Sequence, residues 1–382
     1  MKKITLATLI GLVLTGCGGG GGDDSTAPQP PVETKPQAVQ GTINAVNVPA
    51  NTIEVNGYSY DVASVAYGTD TQFSIKDLQE NMMVAVSTSS KAGALVQLEP
   101  TMVGKVTHID RVNSTFVING ATLTFSLDQN IEVNDWVMVS SLPQATATAT
   151  GLGYKVLSVV KFEHEGIANH YEIEGQISNL TDIQFKLGAG INVDYSNAVI
   201  EDNAPLLSGQ WVEVKGQMNR DDKIFSASEV DIETYDASDN DNEIEGVVTW
   251  VSNDKSQFEL NARGRFMVTG ATRFEDGSKL NLNIGVMVEV IAVNGIAREI
   301  EFENDFDGET GNQWREFEDK GLATVSDNNN GMFILGDKRQ IHIDAYTEFD
   351  DGLTKDNING QHIEVEGVII GSRYVAREIE RD

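Results

Sequence analysis

Apolar residues alternate with polar ones in short runs along most of the chain, and the runs recur in one phrase. Its clearest copies are Gly285-Val-Met-Val-Glu-Val290 and Gly360-Gln-His-Ile-Glu-Val365. Related forms stand at Gly209-Gln-Trp-Val-Glu-Val214, Asn81-Met-Met-Val-Ala-Val86 and Asn134-Asp-Trp-Val-Met-Val139. A period of two is that of a half-buried strand, whose side chains point to opposite faces in turn. In four copies an opening phrase lies 30 to 40 residues upstream: Val39-Gln-Gly41, Met102-Val-Gly104, Ile173-Glu-Gly175 and Ile244-Glu-Gly246. The fifth copy keeps only Gly321. The steps between these glycines are 63, 71, 71 and 75 residues, the mark of an internal repeat.

The pattern predicts five β repeats, at 39–101, 102–165, 171–234, 242–303 and 315–382. Each has about five short strands. In the first, Gln40–Val48, Thr52–Val55 and Tyr58–Val62 are followed by a helical or irregular crossing near Ile75–Leu78. Met83–Val86 and Ala94–Leu98 complete it. Asn56-Gly57 and Asn119-Gly120 sit between alternating runs, a strong hairpin signal because both residues tolerate positive φ. The expectation is an all-β chain of tandem five-stranded barrels of the oligonucleotide/oligosaccharide-binding type, each with a short crossing helix or turn. Closure would remove the exposed edges of such short ribbons. A small five-stranded sandwich is the competing geometry. A module of about 65 residues has a marginal core alone, so neighbours are expected to lean together as a semi-rigid rod.

Charge narrows the partners. With 27 Lys and Arg against 58 Asp and Glu, the formal net charge is -31. Such a surface repels nucleic acid and anionic lipid, and attracts divalent cations or a basic partner.

The N-terminus carries an address. Met1-Lys-Lys3, an apolar run Ile4–Leu14 and Leu14-Thr-Gly-Cys17 form a basic start, a segment too short to span a bilayer, and a lone cysteine. This resembles the lipobox of bacterial lipoproteins. The resemblance implies a lipoprotein signal peptide with its lipobox at 1–17, lipid on Cys17, which becomes the new N-terminus after cleavage, and, with Gly18 following, the outer membrane. The folded part would then face the periplasm or the cell surface. Residues 18–38, rich first in glycine and then in proline, read as a flexible tether. Without a second cysteine the chain can form no internal disulfide.

Copies four and five share more than pattern. Thr272-Arg-Phe-Glu-Asp-Gly277 parallels Thr347-Glu-Phe-Asp-Asp-Gly352, and Ala297-Arg-Glu-Ile-Glu301 is identical to Ala376-Arg-Glu-Ile-Glu380. With the glycine phrases, these elements resemble a family of repeated small β domains of uncharacterised function in bacterial envelope lipoproteins. That family implies no catalytic residues to carry over.

Candidate chemistry is thin. His108, His164, His170, His342 and His362 are scattered, and no serine sits in a Gly-x-Ser-x-Gly elbow. Glu163-His-Glu165 with His170 offers metal-ligand types at a spacing that fits no known motif. Glu299 with Glu301, and Glu378 with Glu380, share a strand face, while Glu289 and Glu364 read as outward positions in the phrase, all expected to be solvated. Trp136 and Trp211 occupy one repeat position, with Trp250 and Trp314 near copy starts; core or junction packing is expected, and exposed sugar-binding rings are the alternative. The joints carry Asp236, Asp239, Asp241, Asp305, Asp307 and Glu309, hard oxygen ligands for weak Ca²⁺ binding with a Kd of about 0.1–1 mM, the alternative being plain hydrated linkers, since neither run fits the EF-hand loop. The expected function is a non-enzymatic, outer-membrane-anchored scaffold or binding module for an envelope protein or glycan. An enzyme acting on an envelope polysaccharide through surface carboxylates is the alternative.

Overall fold

The computed structural model describes residues 35–69, 73–89, 92–146, 151–162, 171–188, 190–219, 223–235, 242–303, 314–327, 331–336 and 339–382. Strands dominate it, as the two-residue period requires. Copy one holds β1 (Ala38–Asn47), β2 (Thr52–Val55), β3 (Tyr58–Ala66), β4 (Met83–Ser89) and β5 (Gly93–Leu98). Copy two holds β6 (Met102–Asp110), β7 (Thr115–Ile118), β8 (Ala121–Thr124), β9 (Trp136–Gln144) and β10 (Gly153–Lys161). Copy three has β11 (Tyr171–Ser178), β12 (Gln184–Leu187), β13 (Ile191–Asp194), β14 (Val199–Ile200), β15 (Trp211–Asn219) and β16 (Ile224–Ile232). In copy four these become β17 (Glu243–Val251), β18 (Gln257–Leu260), β19 (Gly264–Met267), β20 (Arg273–Glu275), β21 (Met287–Val293) and β22 (Ile296–Phe302). Copy five closes the chain with β23 (Glu316–Asp327), β24 (Met332–Leu335), β25 (Arg339–His342), β26 (Glu348–Phe349), β27 (His362–Ile370) and β28 (Arg373–Arg381).

Local chemistry explains the recurrence. The opening glycine of copies one, two and four lies under the asparagine of the following turn. Asn56, Asn119 and Asn261 take φ of 48°, 48° and 53°, and each folds its amide over Gly41, Gly104 or Gly246, where a Cβ would collide with it. Asn119 uses that placement to donate from Nδ2 to the carbonyls of Val103 (3.0 Å) and Glu172 (2.7 Å). The crossing segments are single 3-10 turns at Ile75–Asp77, Glu201–Asn203 and Lys279–Asn281. In copies three to five the crossing also contributes a short strand, β14, β20 or β26, lying parallel to the last strand of its copy.

Discrete five-stranded barrels in series are not what the chain builds, and that expectation is corrected. Two eleven-stranded sheets run across copy boundaries: β1 pairs in parallel with β17, joining copies one and four, and β6 pairs with β11, joining two and three. The cores are shared as well. One cluster runs from Met102 and Phe116 to Phe225 and Val230 through copies two and three, and Val103, Met138, Val160 and Phe162 of copy two pack into the core of copy one. Residues 36–382 form one compact unit. The physical reason lies in strand length. First strands span 8 to 12 residues; their C-terminal halves meet second strands of only 4, and their N-terminal halves meet the long strand of the second phrase in the same copy, which leaves the other edge of the N-terminal half open. Pairing across copies fills that edge for β1 with β17 and for β6 with β11. The family resemblance drawn from tandem barrels is corrected on the same ground: this is a continuous β-repeat body.

Candidate functional site

In copies three to five the phrases of the repeat supply acidic residues, and the sheet register brings them side by side. In copy four Glu245 of the opening phrase lies opposite Glu289, Glu289 opposite Glu301, and Glu301 beside Glu275. In copy three the row is Glu174, Glu213 and Asp231. Copy five has two rows, Lys320–Glu364–Glu380 and Glu318–Glu366–Glu378–Glu348. The corresponding residues of copy one are Gln40, Ala85 and Gln97, and of copy two Val103, Met138 and Val160. Carboxylates face one another only in the later copies.

Directly opposed like charges about 5 Å apart are destabilising unless something neutralises them. The row of copy three and the first row of copy five carry their own answer. Lys215 pairs with Glu213 and lies 3.5 Å from Asp231; Lys320 lies 2.6 Å from Glu364 and 3.6 Å from Asp382. The Lys320 hydrogen bond holds the Glu364 carboxyl below its ordinary range. Copy four has Glu245 where copy five has Lys320. Arg273 serves Glu275 and Glu299 at the outer end, but among the described residues Glu245, Glu289 and Glu301 have no ion pair. Burial therefore pushes Glu245 and Glu301 up to about 7. Glu289 is raised further by burial and by hydrogen-bond contact with the carboxyls of Glu303 and Glu243. The solvated setting expected for Glu289 is corrected: it is 6% exposed, on the face of β21 where Met287 packs with Leu142 of copy two, and its charge is felt by Tyr60 of copy one.

A second set of charges lies between copies. Arg263 pairs with Glu174, which also accepts from Trp211 Nε1 at 3.1 Å, and the guanidinium stacks 5.4 Å from the Trp211 ring centre. Glu99 and Glu172 lie near this arginine's group, Glu172 accepting from Tyr67 Oη at 2.8 Å, and burial pushes Glu99 up to about 8. Between copies four and five Arg377 lies 3.1 Å from Glu259 and 3.2 Å from Asp344, all deeply buried. Thr249 Oγ1 donates to Glu259 at 2.8 Å, and Arg265 bonds the carbonyls of Tyr346 and Arg377 while stacking on Trp250.

Trp211, Trp250 and Trp314 are buried in one cluster with Ala145, Leu152, Ala262, Val368, Ile370 and Val375. Trp136 is half-buried, its ring 4.9 Å from Tyr171 and 5.3 Å from Lys105 Nζ. His108, His342 and His362 stand on β6, β25 and β27; His342 Nδ1 lies 3.2 Å from Arg373, and burial with that charge lowers it to about 4. Cys17, Glu163, His164, Glu165, His170, Asp236, Asp239, Asp241, Asp305, Asp307 and Glu309 lie outside the described residues.

Sequence reasoning missed Glu245, Glu275 and the arginines at the joints. A signal existed for the glutamates, because each of the aligned phrases of copy four contains one. None marked Arg377, whose counterpart in the identical pentapeptide, Arg298, is exposed.

Three stretches of the chain, 174–231, 245–301 and 323–380, match a family described as a domain of unknown function, DUF5666. They fall in the three copies that carry the acidic rows. No curated protein matches the chain.

Proposed function

We propose that the protein is a non-enzymatic binding module, tethered to the outer membrane through Cys17, that presents its acidic rows to a basic face of an envelope protein. One observation carries the reading: in copy five the rows Glu318–Glu366–Glu378–Glu348 and Glu364–Glu380 stand on half-buried to exposed strand positions, held in register by the sheet. Pre-ordered carboxylates at a fixed spacing cost little further entropy when a partner's Lys and Arg side chains approach. A glycan is the weaker partner, since Trp211, Trp250 and Trp314 are packed inside, away from any sugar. The tether reading rests on the leader residues alone; changing Cys17 to Ser should release the protein from the membrane fraction.

The test is binding of a Lys/Arg-rich peptide to the full chain at low and high salt. Wild type should bind, with affinity falling as salt rises, and the triple variant Glu366→Gln, Glu378→Gln, Glu380→Gln should bind at least tenfold more weakly. Equal binding by both proteins, or binding only to a neutral oligosaccharide without salt dependence, would overturn the proposal.

A further inference from the structure

The turn asparagine of copy one sits in the same place as its counterparts but is not served as they are. Asn119 Nδ2 donates to two carbonyls. Asn261 donates to Glu245 O (3.2 Å) and Tyr235 Oη (2.9 Å), and accepts from Val247 N at 2.9 Å. Asn56 is 5% exposed, and neither its Oδ1 nor its Nδ2 has a partner among the described residues. An amide so buried is destabilising if nothing completes it.

Its oxygen points at the acidic row. A Cβ on Gly41 would stand 2.7 Å from Glu245 Oε2 and closer still to Asn56 Oδ1, so both oxygens hang over the bare glycine. Thr42 closes the third side, donating from N (2.5 Å) and Oγ1 (3.0 Å) to Glu245 Oε2. Glu289 is the cross-strand neighbour of Glu245, and Glu243 and Glu303 touch Glu289. This row has Glu245 at the position that Lys320 takes in copy five, and it stands at the junction where β1 runs beside β17.

We propose that the junction of β1 and β17 is a binding site for one hard divalent cation of the Ca²⁺ type, held by Glu245, Asn56 Oδ1 and Glu289. The cation takes the place that Lys320 fills in copy five. Carboxylate and amide oxygens are the ligands Ca²⁺ prefers, six to eight of them in a flexible shell. No three Asp, Glu, His or Cys side chains already converge on one point among the described residues, so Glu289 must turn toward Glu245 as the ion enters. That movement is short, since opposed strand positions lie about 5 Å apart. Thr42 keeps Glu245 in place meanwhile.

The experiment titrates CaCl₂ into the full chain by calorimetry and follows thermal unfolding, for wild type and two variants. Glu245→Lys installs the cation that copy five already has. Asn56→Gly keeps the positive φ of the turn, as Gly188 and Gly336 do elsewhere, and removes only the amide. Wild type should bind Ca²⁺ and gain several degrees in Tm. Glu245→Lys should match Ca²⁺-loaded wild type without calcium and lose the response, and Asn56→Gly should bind at least tenfold more weakly. The acidic joints are unchanged in both variants, so a calcium response retained in full by either one would overturn the proposal. So would the lack of any heat or Tm change in wild type at 10-fold above about 1 mM Ca²⁺, the upper end for extracellular sites.

Discussion

At the scale of single residues, the molecule depends on charges it cannot expose. Arg377 is 1% exposed and Glu259 0%, and their partners Asp344 and Thr249 enclose them. Changing Arg377 to Ala should cost about 3–5 kcal/mol, because it strands two buried carboxyls, whereas Arg377→Met with Glu259→Leu should cost far less. Denaturant unfolding of the single and double variants measures the difference; equal losses would mean that packing and not charge dominates. The acidic row makes a prediction of opposite kind. Glu245 and Glu301 hold their protons up to about 7 when folded, against an ordinary 4.5. Between those values the folded chain binds more protons than the unfolded one, so these groups lower stability as pH rises from about 4.5 to 7. In calcium-free buffer the Tm should be higher at pH 5 than at pH 8. A Tm that climbs steadily across this window would show that the row does not govern it.

At the scale of elements, the repeated glycine has different duties in different copies. Gly104 lies under the Asn119 amide, but Gly321 faces the backbone of Gly336, whose N would stand 3.2 Å from an added Cβ. Gly104→Ala should therefore cost about 1–3 kcal/mol as an overpacked site, and Gly321→Ala distinctly less. Similar losses in equilibrium unfolding would remove this explanation of the phrase. The strands and the Asn-Gly turns were legible from the sequence because period and turn chemistry are local. The Thr-x-Phe element was legible as a repeat but not as a strand: Phe274 and Phe349 lie on β20 and β26, whose two or three residues are too few to show a period. Which strand halves pair across copies was not legible either. Val39 and Gln40 alternate as any edge residues do, and nothing local marks Glu243 and Ile244 as their partners.

At the scale of the whole chain, the joints are cores. Trp211 and Trp250 of copies three and four, Trp314 just before copy five and Val368, Ile370 and Val375 within it share one cluster with Ala145 and Leu152 of copy two. Truncating Trp250 to Ala should cost about 3–5 kcal/mol. Unfolding of wild type should be one transition by both tryptophan fluorescence and circular dichroism. Two separated transitions would mean that the copies melt as independent beads. The acidic rows were only half legible at this scale: sequence gives acidic residues in the phrases of copies three to five, but whether a row meets lysine, solvent or a neighbouring copy depends on the assembly of distant strands.

The pairing of β1 with β17 also sets a timetable. Val39 finds its partner Glu243 two hundred residues further along the chain. A polypeptide leaving the ribosome or a translocation pore presents copy one first, yet one flank of copy one stays bare until copy four has followed. Loops of that span close slowly, and an unpaired strand edge invites other chains while it waits. The earliest segment to emerge is thus among the last to be finished, and its vulnerable period lasts as long as the delivery of everything up to Val251.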